Sequence, residues 1–480
     1  MPAPQDSEAQ AGAQGRQWDE SEITVTDQGT IRRAVGAAAI GNVTEWFDFG
    51  VYAYMESTLE DVFFHGAPPA VQTMGVLAIF AVSFLVRPFG GLFFGPLGDR
   101  IGRTKVLSIT VILMAIGTFC IGILPDYQTI GFAAPALMLL CRLIQGFSTG
   151  GEYGGAMTFI AEYAPDKRRG FLGSWLEFGT LTGYALGATI SMVLGMALSD
   201  PQMHSWGWRI PFLIAGPLGM IGLYLRMKLE ETPSFKQIAH ESEGREGNQT
   251  LKELRSIFVK HWRPMILCGG LVLGFNVTNY MLTEYMQSYM SSALPQAGEP
   301  TIGETAQQVL QILVLLAMMV VITFLGWLSD RVGRRPIVIT GCIAMVVLSF
   351  PAIMLIRSGS TGPVFGGLLL IGLMLVCWNS TMPSTLPALF PTEIRYGGLS
   401  IAFNIAVSLF GGTVGAVVGG LIILTGDLNF PAYYLMGAGI IGAVAIYFTK
   451  ESAGKPLPGS APAAADQEEA KEIAAASSRS

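Results

Sequence analysis

Glu45 and Asp48 stand three residues apart in GNVTEWFDFGVY, in the middle of the first long apolar segment of the chain. A carboxylate near the midplane of a bilayer costs about 2.5 to 3.5 kcal/mol on insertion scales, so such residues persist where they face a polar cavity or a partner. On a helix Asn42 and Tyr52 fall on the same stripe, one turn before and one turn after the acids. The chemistry open to this stripe is reversible protonation, linked to ligand binding or to a conformational change. Arg142 supplies a counter-charge. Counting at about 1.5 Å per residue puts Glu45 roughly 16 Å into the first segment and Arg142 about ten residues from the far end of the antiparallel fourth, so both sit near mid-depth. Either acid can carry the proton while Arg142 competes for the carboxylate. The plainer alternative is a static ion pair between two helices.

Further polar faces surround this pair. Gln145, Thr149 and Glu152 continue the stripe from Arg142, and Glu152 lies in GGEYGG, whose glycines permit close helix approach. Glu152 reads as a second proton site or a pole for a cationic group, and Arg87, beside Pro88, as a partner for it or for a substrate carboxylate. A seventh segment places Asn276, Asn279, Tyr280, Thr283, Glu284 and Gln287 on one face, with Glu284 its only acid. Trp378, Asn379 and Asn404 add polar or aromatic edges in later segments, and Glu177 is a weaker candidate in the fifth. Trp46, Phe47, Tyr52, Tyr280, Tyr285 and Trp378 could hold a quaternary amine, which ring faces bind better than hydrogen bonds do. The substrate-contact candidates are Asn42, Trp46, Tyr52, Arg87, Gln145, Asn276, Tyr280, Glu284, Trp378 and Asn404; the proton-coupling candidates are Glu45, Asp48, Arg142 and Glu152.

The elements that must position these groups are membrane helices. Of the 480 residues 51% are hydrophobic and 13% charged, too apolar for a soluble chain of this length. Segments long enough to span fall roughly at 34–56, 70–95, 105–124, 132–163, 170–197, 208–228, 263–292, 304–328, 336–357, 363–389, 398–425 and 431–449. This predicts an all-α membrane protein of twelve helices. Arg32, Arg33, Arg100, Arg103, Lys105, Lys167, Arg168, Arg169, Arg331, Arg334, Arg335, Arg395 and Lys450 all flank helices on one side, which places both termini in the cytoplasm. The expected division is a disordered tail at 1–30, a six-helix bundle at 31–228, a polar central loop at 229–262, a second bundle at 263–450 and a tail at 451–480. The net charge of −6 comes largely from the polar ends and says little about partners.

The two halves repeat. GPLGDRIGRTK at 95–105 matches GWLSDRVGRRP at 326–336, so that Asp99, Arg100, Gly102 and Arg103 recur as Asp330, Arg331, Gly333 and Arg334. Pro165 to Arg169 recurs as Pro391 to Arg395. A duplicated six-helix half is the sequence form of a transporter whose two bundles rock about a site at their interface.

The repeated loop resembles the signature of the major facilitator superfamily. GNVTEWFDFGVY, VRPFGGLFFGPLGDRIGR, RLIQGFSTGGEYGGA and AEYAPDKRRGFLGSW resemble its metabolite:proton symporters, and GWRIPF, LEETPSF, NVTNYMLTEYMQSYM, STLPALFPTEIRY and PAYYLM their branch for proline and glycine betaine, over about 24–452. The resemblance implies twelve helices in two pseudo-symmetric bundles and proton-coupled import of a zwitterionic osmolyte by alternating access. It implies a gating role for Asp99, Arg100, Arg103, Asp330, Arg331 and Arg334, which otherwise read as solvated topology charges. It also pairs a first-helix acid with Arg142, since similar carriers place an acid there near the Arg of an Arg-x-x-x-Gly stretch such as Arg142 to Gly146.

The residues narrow the rest. No Gly-x-x-x-x-Gly-Lys-Ser/Thr loop occurs, so an ion gradient is the expected energy source. One charge moved inward is worth about 2.3 kcal/mol per 100 mV, enough for roughly 40-fold accumulation of a neutral substrate. The partners are then a small zwitterion, a proton and the lipid bilayer, with no nucleic acid, protein partner, metal or cofactor called for. The four histidines are scattered and the five cysteines lie apart in apolar segments, so an enzyme, a metal site or a disulfide framework is not indicated. The nearest rival is a proton symporter for an organic acid such as 2-oxoglutarate, citrate or shikimate. The C-terminal tail lacks the apolar heptads of a coiled coil.

Overall fold

In hydrocarbon every backbone N–H and C=O must be satisfied within its own segment, which makes each apolar stretch of this chain a helix. The computed structural model describes residues 17–227 and 259–478, apart from the side chains of Pro69, Ala70, Thr73, Met74, Leu77, Asp99, Arg100, Arg103, Leu225 and Arg226. The first half contains α1 Gln28–Tyr54, α2 Pro69–Ile101, α3 Arg103–Ile123, α4 Ala133–Tyr163, α5 Arg169–Ala197 and α6 Arg209–Met227. In the second, α7 begins as Trp262–Tyr280 and runs on to Gln296 through two π-helical turns, Met281–Tyr285 and Tyr289–Ala293. It is followed by α8 Glu304–Val332, α9 Arg334–Ile356, α10 Thr361–Asn379, α11 Arg395–Phe410 with its continuation Val414–Thr425, and α12 Phe430–Phe448. Among the described residues nine spans are long and apolar enough to cross a membrane by length and composition alone. α1, α4 and α6 are not among the nine; charged and polar residues inside α1 and α4 dilute the hydropathy of those two helices.

Three expected helices differ in detail. The span expected at 363–389 stops at Asn379 and resumes as the short turns Met382–Thr385 and Pro387–Leu389, because Pro383 and Pro387 cannot extend an α-helix without losing hydrogen bonds. The span expected at 398–425 breaks after Phe410, where Gly411 and Gly412 intervene. The π-turns of α7 fall within the polar face read from the sequence, around Thr283 and Glu284. Residues 229–258 of the expected central loop lie outside the described residues.

Packing follows small residues. Within the first half α1 lies along α5, α2 along α4 and α3 along α6; within the second α7 lies against α12, and α9 against α10 and α12. Gly179, Gly183 and Gly187 recur every four residues on α5, where added Cβ atoms would collide with the α1 backbone at Ala39, Val43 and Val51. This stripe clamps the helix that carries Glu45 and Asp48. The halves meet along α5–α8 and α2–α11, one contact made twice because the repeat makes α2 equivalent to α8 and α5 to α11. Gly102 and Gly333, equivalent positions of the repeated loop, have φ of 107° and 100°, a backbone region that strongly favours glycine.

On the face bearing these loops the two chain ends pair with each other. β1 Thr24–Val25 and β2 Ala463–Ala464 form a parallel pair, and α13 Gln467–Ser477 covers it. Ile23, Ala464 and Ala470 make a small apolar cluster closed by Trp18, Val25 and Ile473. The polar composition of the N-terminal tail predicts disorder through residue 30; residues 1–16 lie outside the described residues, while the stretch from Glu20 onward is ordered by this pairing. The few apolar side chains responsible are hidden in the polar average of the tail.

Candidate functional site

The clamp on α1 turns its acidic stripe into the first half's interior. Glu45 and Asp48 are both fully buried. Asp48 Oδ2 lies 2.7 Å from Arg142 Nη1, so α1 and α4 are joined by an ion pair with no solvent access. The Arg142 guanidinium stands 3.8 Å from the centroid of the Tyr52 ring, and the Tyr52 hydroxyl donates to the Val76 carbonyl at 2.9 Å. The pair has unused capacity: Asp48 Oδ1, Arg142 Nε and Arg142 Nη2 have no hydrogen-bond partner among the described residues. Its members can take up a new partner without giving up a full set of old ones.

A second cationic group lies nearby. Arg87 of α2 is 1% exposed and places its guanidinium 4.2 Å from the Phe84 ring centroid and 4.8 Å from that of Phe49. Its Nε and Nη2 have no hydrogen-bond partner among the described residues. Those two rings belong to a larger aromatic cluster. Trp46 is its hub, with ring centroids 5.2 Å from Tyr184, 5.6 Å from Phe49, 6.2 Å from Tyr153 and 6.3 Å from Tyr280. Phe84 meets Tyr280 edge-on at 5.3 Å. The cluster therefore takes rings from α1, α2, α4, α5 and α7, and it bridges the two halves.

The other residues singled out from the sequence divide into those at this centre and those that brace it. Glu152 is buried on α4 one residue before Tyr153. Tyr184 of α5 donates to Glu284 of α7 at 2.6 Å, a link between halves at the first π-turn. Asn42 donates to the Leu176 carbonyl at 2.9 Å and to Thr180 at 2.5 Å, holding α1 on α5. Gln145 donates to Thr118 of α3 at 2.6 Å, Asn276 to the Val272 carbonyl of its own helix at 3.0 Å, and Asn404 to the Gly150 carbonyl of α4 at 2.6 Å. Trp378 is fully buried and packs beside Gly274, Gly341 and Gly442 within the second half. Tyr153, Tyr184 and Phe84 are members of the cluster that the pattern of residue types does not single out. For Tyr153 the signal is its place beside Glu152 in a glycine-rich stretch; for the other two there is none.

The loop-bearing face is closed by a separate set of charges. Glu162, near the end of α4, pairs with Arg395 at the start of α11 at 2.7 Å, both side chains fully buried between the halves. Asp330 of α8 accepts from the N–H groups of Gly170 and Phe171 at 2.7 and 2.8 Å, in the first turn of α5 where the helix dipole favours an anion. Arg334 lies 3.9 Å from Asp330 and donates to the Ser384 carbonyl at 3.1 Å. Arg331 is exposed and stacks on Trp327 of its own helix at 4.0 Å, outside this seam. The side chains of Asp99, Arg100 and Arg103 lie outside the described residues.

The C-terminal segment crosses the same seam. Glu451 accepts from the N–H groups of Arg334 and Arg335 at 3.1 and 3.0 Å. The Lys455 carbonyl then accepts from Arg169 at 3.0 Å and the Pro458 carbonyl from Arg395 at 2.7 Å. Arg169 and Arg395 are the equivalent arginines of the repeat, one from each half. Further on, Ala463 donates to Asp166 at 3.1 Å and Glu469 pairs with Lys167 at 3.0 Å.

Comparison with known proteins agrees with this architecture. The family described as Sugar (and other) transporter matches residues 34–459. A proline/betaine transporter of Salmonella typhimurium is 49% identical over 456 residues, covering 94% of this chain and 90% of that protein. The proline/betaine transporter of Escherichia coli K12 is 48% identical over the same shares, as is the glycine betaine/proline/ectoine/pipecolic acid transporter OusA of Dickeya dadantii. Among solved structures, the proton:xylose symporter XylE bound to 6-bromo-6-deoxy-D-glucose superposes with a TM-score of 0.73 at 17% identity, over 93% of this chain and all of that one. That likeness is one of fold: twelve helices in two pseudo-symmetric bundles.

Proposed function

This chain belongs to the sugar (and other) transporter family, and we propose that it is a proton-coupled symporter importing zwitterionic osmolytes such as proline and glycine betaine by alternating access. The membrane is the bacterial inner membrane. The basic face is cytoplasmic, since Lys and Arg are retained on the inner side, so both termini lie inside. The observation that carries the reading is the joining of three features at one buried centre. An aromatic cluster suited to an ammonium group adjoins Arg87, whose unpartnered donors suit a carboxylate, and both lie beside a carboxylate–arginine pair able to exchange partners.

In the cycle, protonation of Asp48 or Glu45 lowers the charge of the acidic stripe and frees Arg142 to turn toward the substrate or toward the other acid. Binding and protonation thereby favour each other, which is what symport requires. The contacts at Glu162–Arg395 and Asp330–Gly170 hold the cytoplasmic face shut and part as the halves rock, with Arg334 and the first-half charges Asp99, Arg100 and Arg103 completing the gate. Gln145, Asn42, Asn276, Asn404 and Trp378 brace helices around the centre, and Glu152 is held beside it for a second protonation.

The 48–49% identity to named proline/betaine transporters across nearly the whole chain supports the substrate class. Counterflow in proteoliposomes with glycine betaine, proline, 2-oxoglutarate and citrate tests it directly. Exchange of the first two only is the expected result. Exchange of a dicarboxylate but neither zwitterion would transfer the protein to organic acids, and uphill uptake that persists with a protonophore would remove the proton from the mechanism.

A further inference from the structure

The acidic stripe of α1 continues beyond the end of that helix. Glu45, Asp48, Tyr52, Glu56 and Glu60 follow one another at steps of three or four residues, the spacing of one helix face. The last two belong to a short helix, Glu56–Phe63, which prolongs α1 toward the side opposite the basic loops. At the junction the Met55 N–H donates to the Val51 carbonyl at 3.0 Å and the Met55 carbonyl accepts from the Leu59 N–H at 2.9 Å, so the helical phase carries across. Burial falls along the stripe: Glu45 and Asp48 are fully buried, Glu56 and Glu60 are partly buried, and the neighbouring Asp61 is exposed.

The surroundings of Glu56 are acidic. No lysine or arginine occurs between Arg33 and Arg87. The short helix packs against α2 and the turns Tyr127–Ile130 and Met203–Gly207. Together with the end of α1 these elements bring Tyr52, Tyr54, Tyr127 and His204 as titratable groups, and His204 is engaged with Asp61 at 3.1 Å. From α7 comes Glu284, partly buried and joined to Tyr184, whose ring lies 5.2 Å from Trp46 at the central cluster. The Glu284 charge acts on Glu56, and the Arg142 charge acts on Glu284. Along the helix Glu56 stands about 12 Å beyond Asp48, too far for direct transfer, and Glu284 is within electrostatic reach of both ends of that gap.

We propose that Glu56, with Glu60 and Glu284, is the outer proton-loading station of the carrier, taking protons at the external face and passing them through intervening water to the Asp48–Arg142 pair. This role rests on the proton-symport reading. Each transfer leaves the donor carboxylate ionised again, so the net change is one proton moved from outer water to Asp48. Glu56 lies beyond the end of α1, where burial and the charges of Glu60 and Glu284 push its carboxyl up to about 7, and it therefore gains and loses a proton in the neutral range. At the receiving end Asp48 Oδ1 has no hydrogen-bond partner among the described residues and is open to the proton. With the basic face shut by Glu162–Arg395, the acids of the outer face supply the route in this state. A cleft lined by one sign of charge raises the capture rate of opposite ions about ten- to a thousandfold. That gain counts most at alkaline external pH, where protons are scarce.

The test uses the full chain in proteoliposomes, with glycine betaine uptake driven by a fixed inside-negative potential at equal pH on both sides. Glu56→Gln should slow initial uptake by about tenfold at about pH 8 and by less than about twofold at about pH 5.5. The final accumulation ratio should stay the same, because a loading station changes rates and leaves the driving force alone. Counterflow, in which a bound proton survives many exchanges, should keep its pH profile. Glu56→Asp retains a carboxylate and should keep the alkaline rate. Glu60→Gln, at the outer end of the stripe, should slow alkaline uptake by about threefold and is readable even if Glu56→Gln folds poorly. An unchanged uptake profile in every Gln variant that assembles, or uptake lost equally at all pH, would overturn the inference. So would a counterflow profile that shifts along with the uptake profile, since Glu56 would then tune the proton affinity of Asp48 without delivering the proton. Uptake by the unmodified protein that ignores a protonophore would instead overturn the symport reading itself.

Discussion

Two buried carboxylate–arginine pairs, Asp48–Arg142 and Glu162–Arg395, have the same length, 2.7 Å, and the same exclusion of solvent. They differ in what they join and in how fully their arginines are engaged. The first links α1 to α4 inside one half, and a rocking motion that moves the half as a unit leaves it intact. The second links α4 to α11 across the halves and must break for the basic face to open. Arg395 is saturated, donating also to the carbonyls of Phe390 and Pro458 and to the Thr392 hydroxyl. Arg142 keeps two nitrogens without a hydrogen-bond partner among the described residues and rests on a tyrosine ring. Because a buried ion pair gains little net stability over the desolvation of its charges, its use lies in what happens when it is exchanged or broken. A pair within one body whose arginine keeps donors unused suits a proton switch, and a pair between bodies whose arginine is fully engaged suits a latch.

Asp48→Asn has the largest expected effect. Neutralising one partner leaves the Arg142 charge buried and uncompensated, a loss of about 3 to 5 kcal/mol in stability. Uphill uptake should fall by about 40-fold or more, the whole accumulation that one charge supports per 100 mV. Counterflow without a gradient should persist in the fraction that folds, since exchange does not require net proton movement. Uphill uptake retained in this variant would shift the proton to Glu45, and Glu45→Gln measured in parallel separates the two acids.

Glu162→Gln tests the other pair and should change sidedness rather than coupling. Weakening the latch raises the share of chains open to the basic face, and the apparent affinity for external substrate falls by the share lost. An external KM raised by about tenfold, with the maximal accumulation ratio maintained, is the expected outcome in sided vesicles. If Glu162→Gln lowered the accumulation ratio as Asp48→Asn does, the two pairs would be doing one job.

The midplane pair is legible in the sequence and the latch only in part, for a physical reason. Glu45, Asp48 and Arg142 advertise themselves because a charge in an apolar run is costly and needs an explanation. The repeat exposes Asp330 and Arg334 as one half of a symmetric device. Tyr153, Tyr184 and Phe84 carry no such cost: an aromatic residue in a membrane helix is as well placed in packing as in a binding site. Trp378, equally suited by type to a ligand, lies beside Gly274 and Gly442 in the second half. The tail has no heptads to mark it, yet its contacts run through the carbonyls of Lys455 and Pro458, groups that every residue possesses and no sequence pattern marks.

Removal of residues 451–480 should loosen the latch by less than Glu162→Gln does. The deletion takes away the Lys455 acceptor of Arg169 and the Pro458 and Ser460 acceptors of Arg395 but leaves Glu162 and Asp330 in place. With net hydrogen bonds to charged groups worth about 1.5 to 3 kcal/mol and water free to replace the lost carbonyls, a rise of roughly threefold in external KM is expected. A rise as large as that of Glu162→Gln would make the tail, and not the ion pair, the main lock.

The smallest effect concerns whether the latch side also senses protons. Glu451 anchors the tail by accepting from the backbone N–H groups of Arg334, Arg335, Ser452 and Ala453, the last two at 2.9 Å. Burial pushes its carboxyl upward, but these four donors outweigh burial and hold it below the ordinary 4.5. A carboxyl lowered in the folded state contributes stability that is fully present above its ordinary value and is lost as pH falls from there through the folded value. The anchor is therefore complete at neutral pH and loosens only in acid below about pH 4.5. Hydrogen exchange of the amides at 451–465 should be slow and flat from pH 8 to about pH 5 after correction for intrinsic rates, then accelerate in acid, a threshold set by this carboxyl. In Glu451→Gln the acid step should vanish and exchange should be faster at neutral pH. Faster exchange on passing from pH 8 to 6 in the unmodified protein would contradict this and give the latch a proton dependence of its own. Held this way, the tail stays indifferent to protons across the neutral range, and in the proposed cycle the proton gradient acts on one of the two pairs alone.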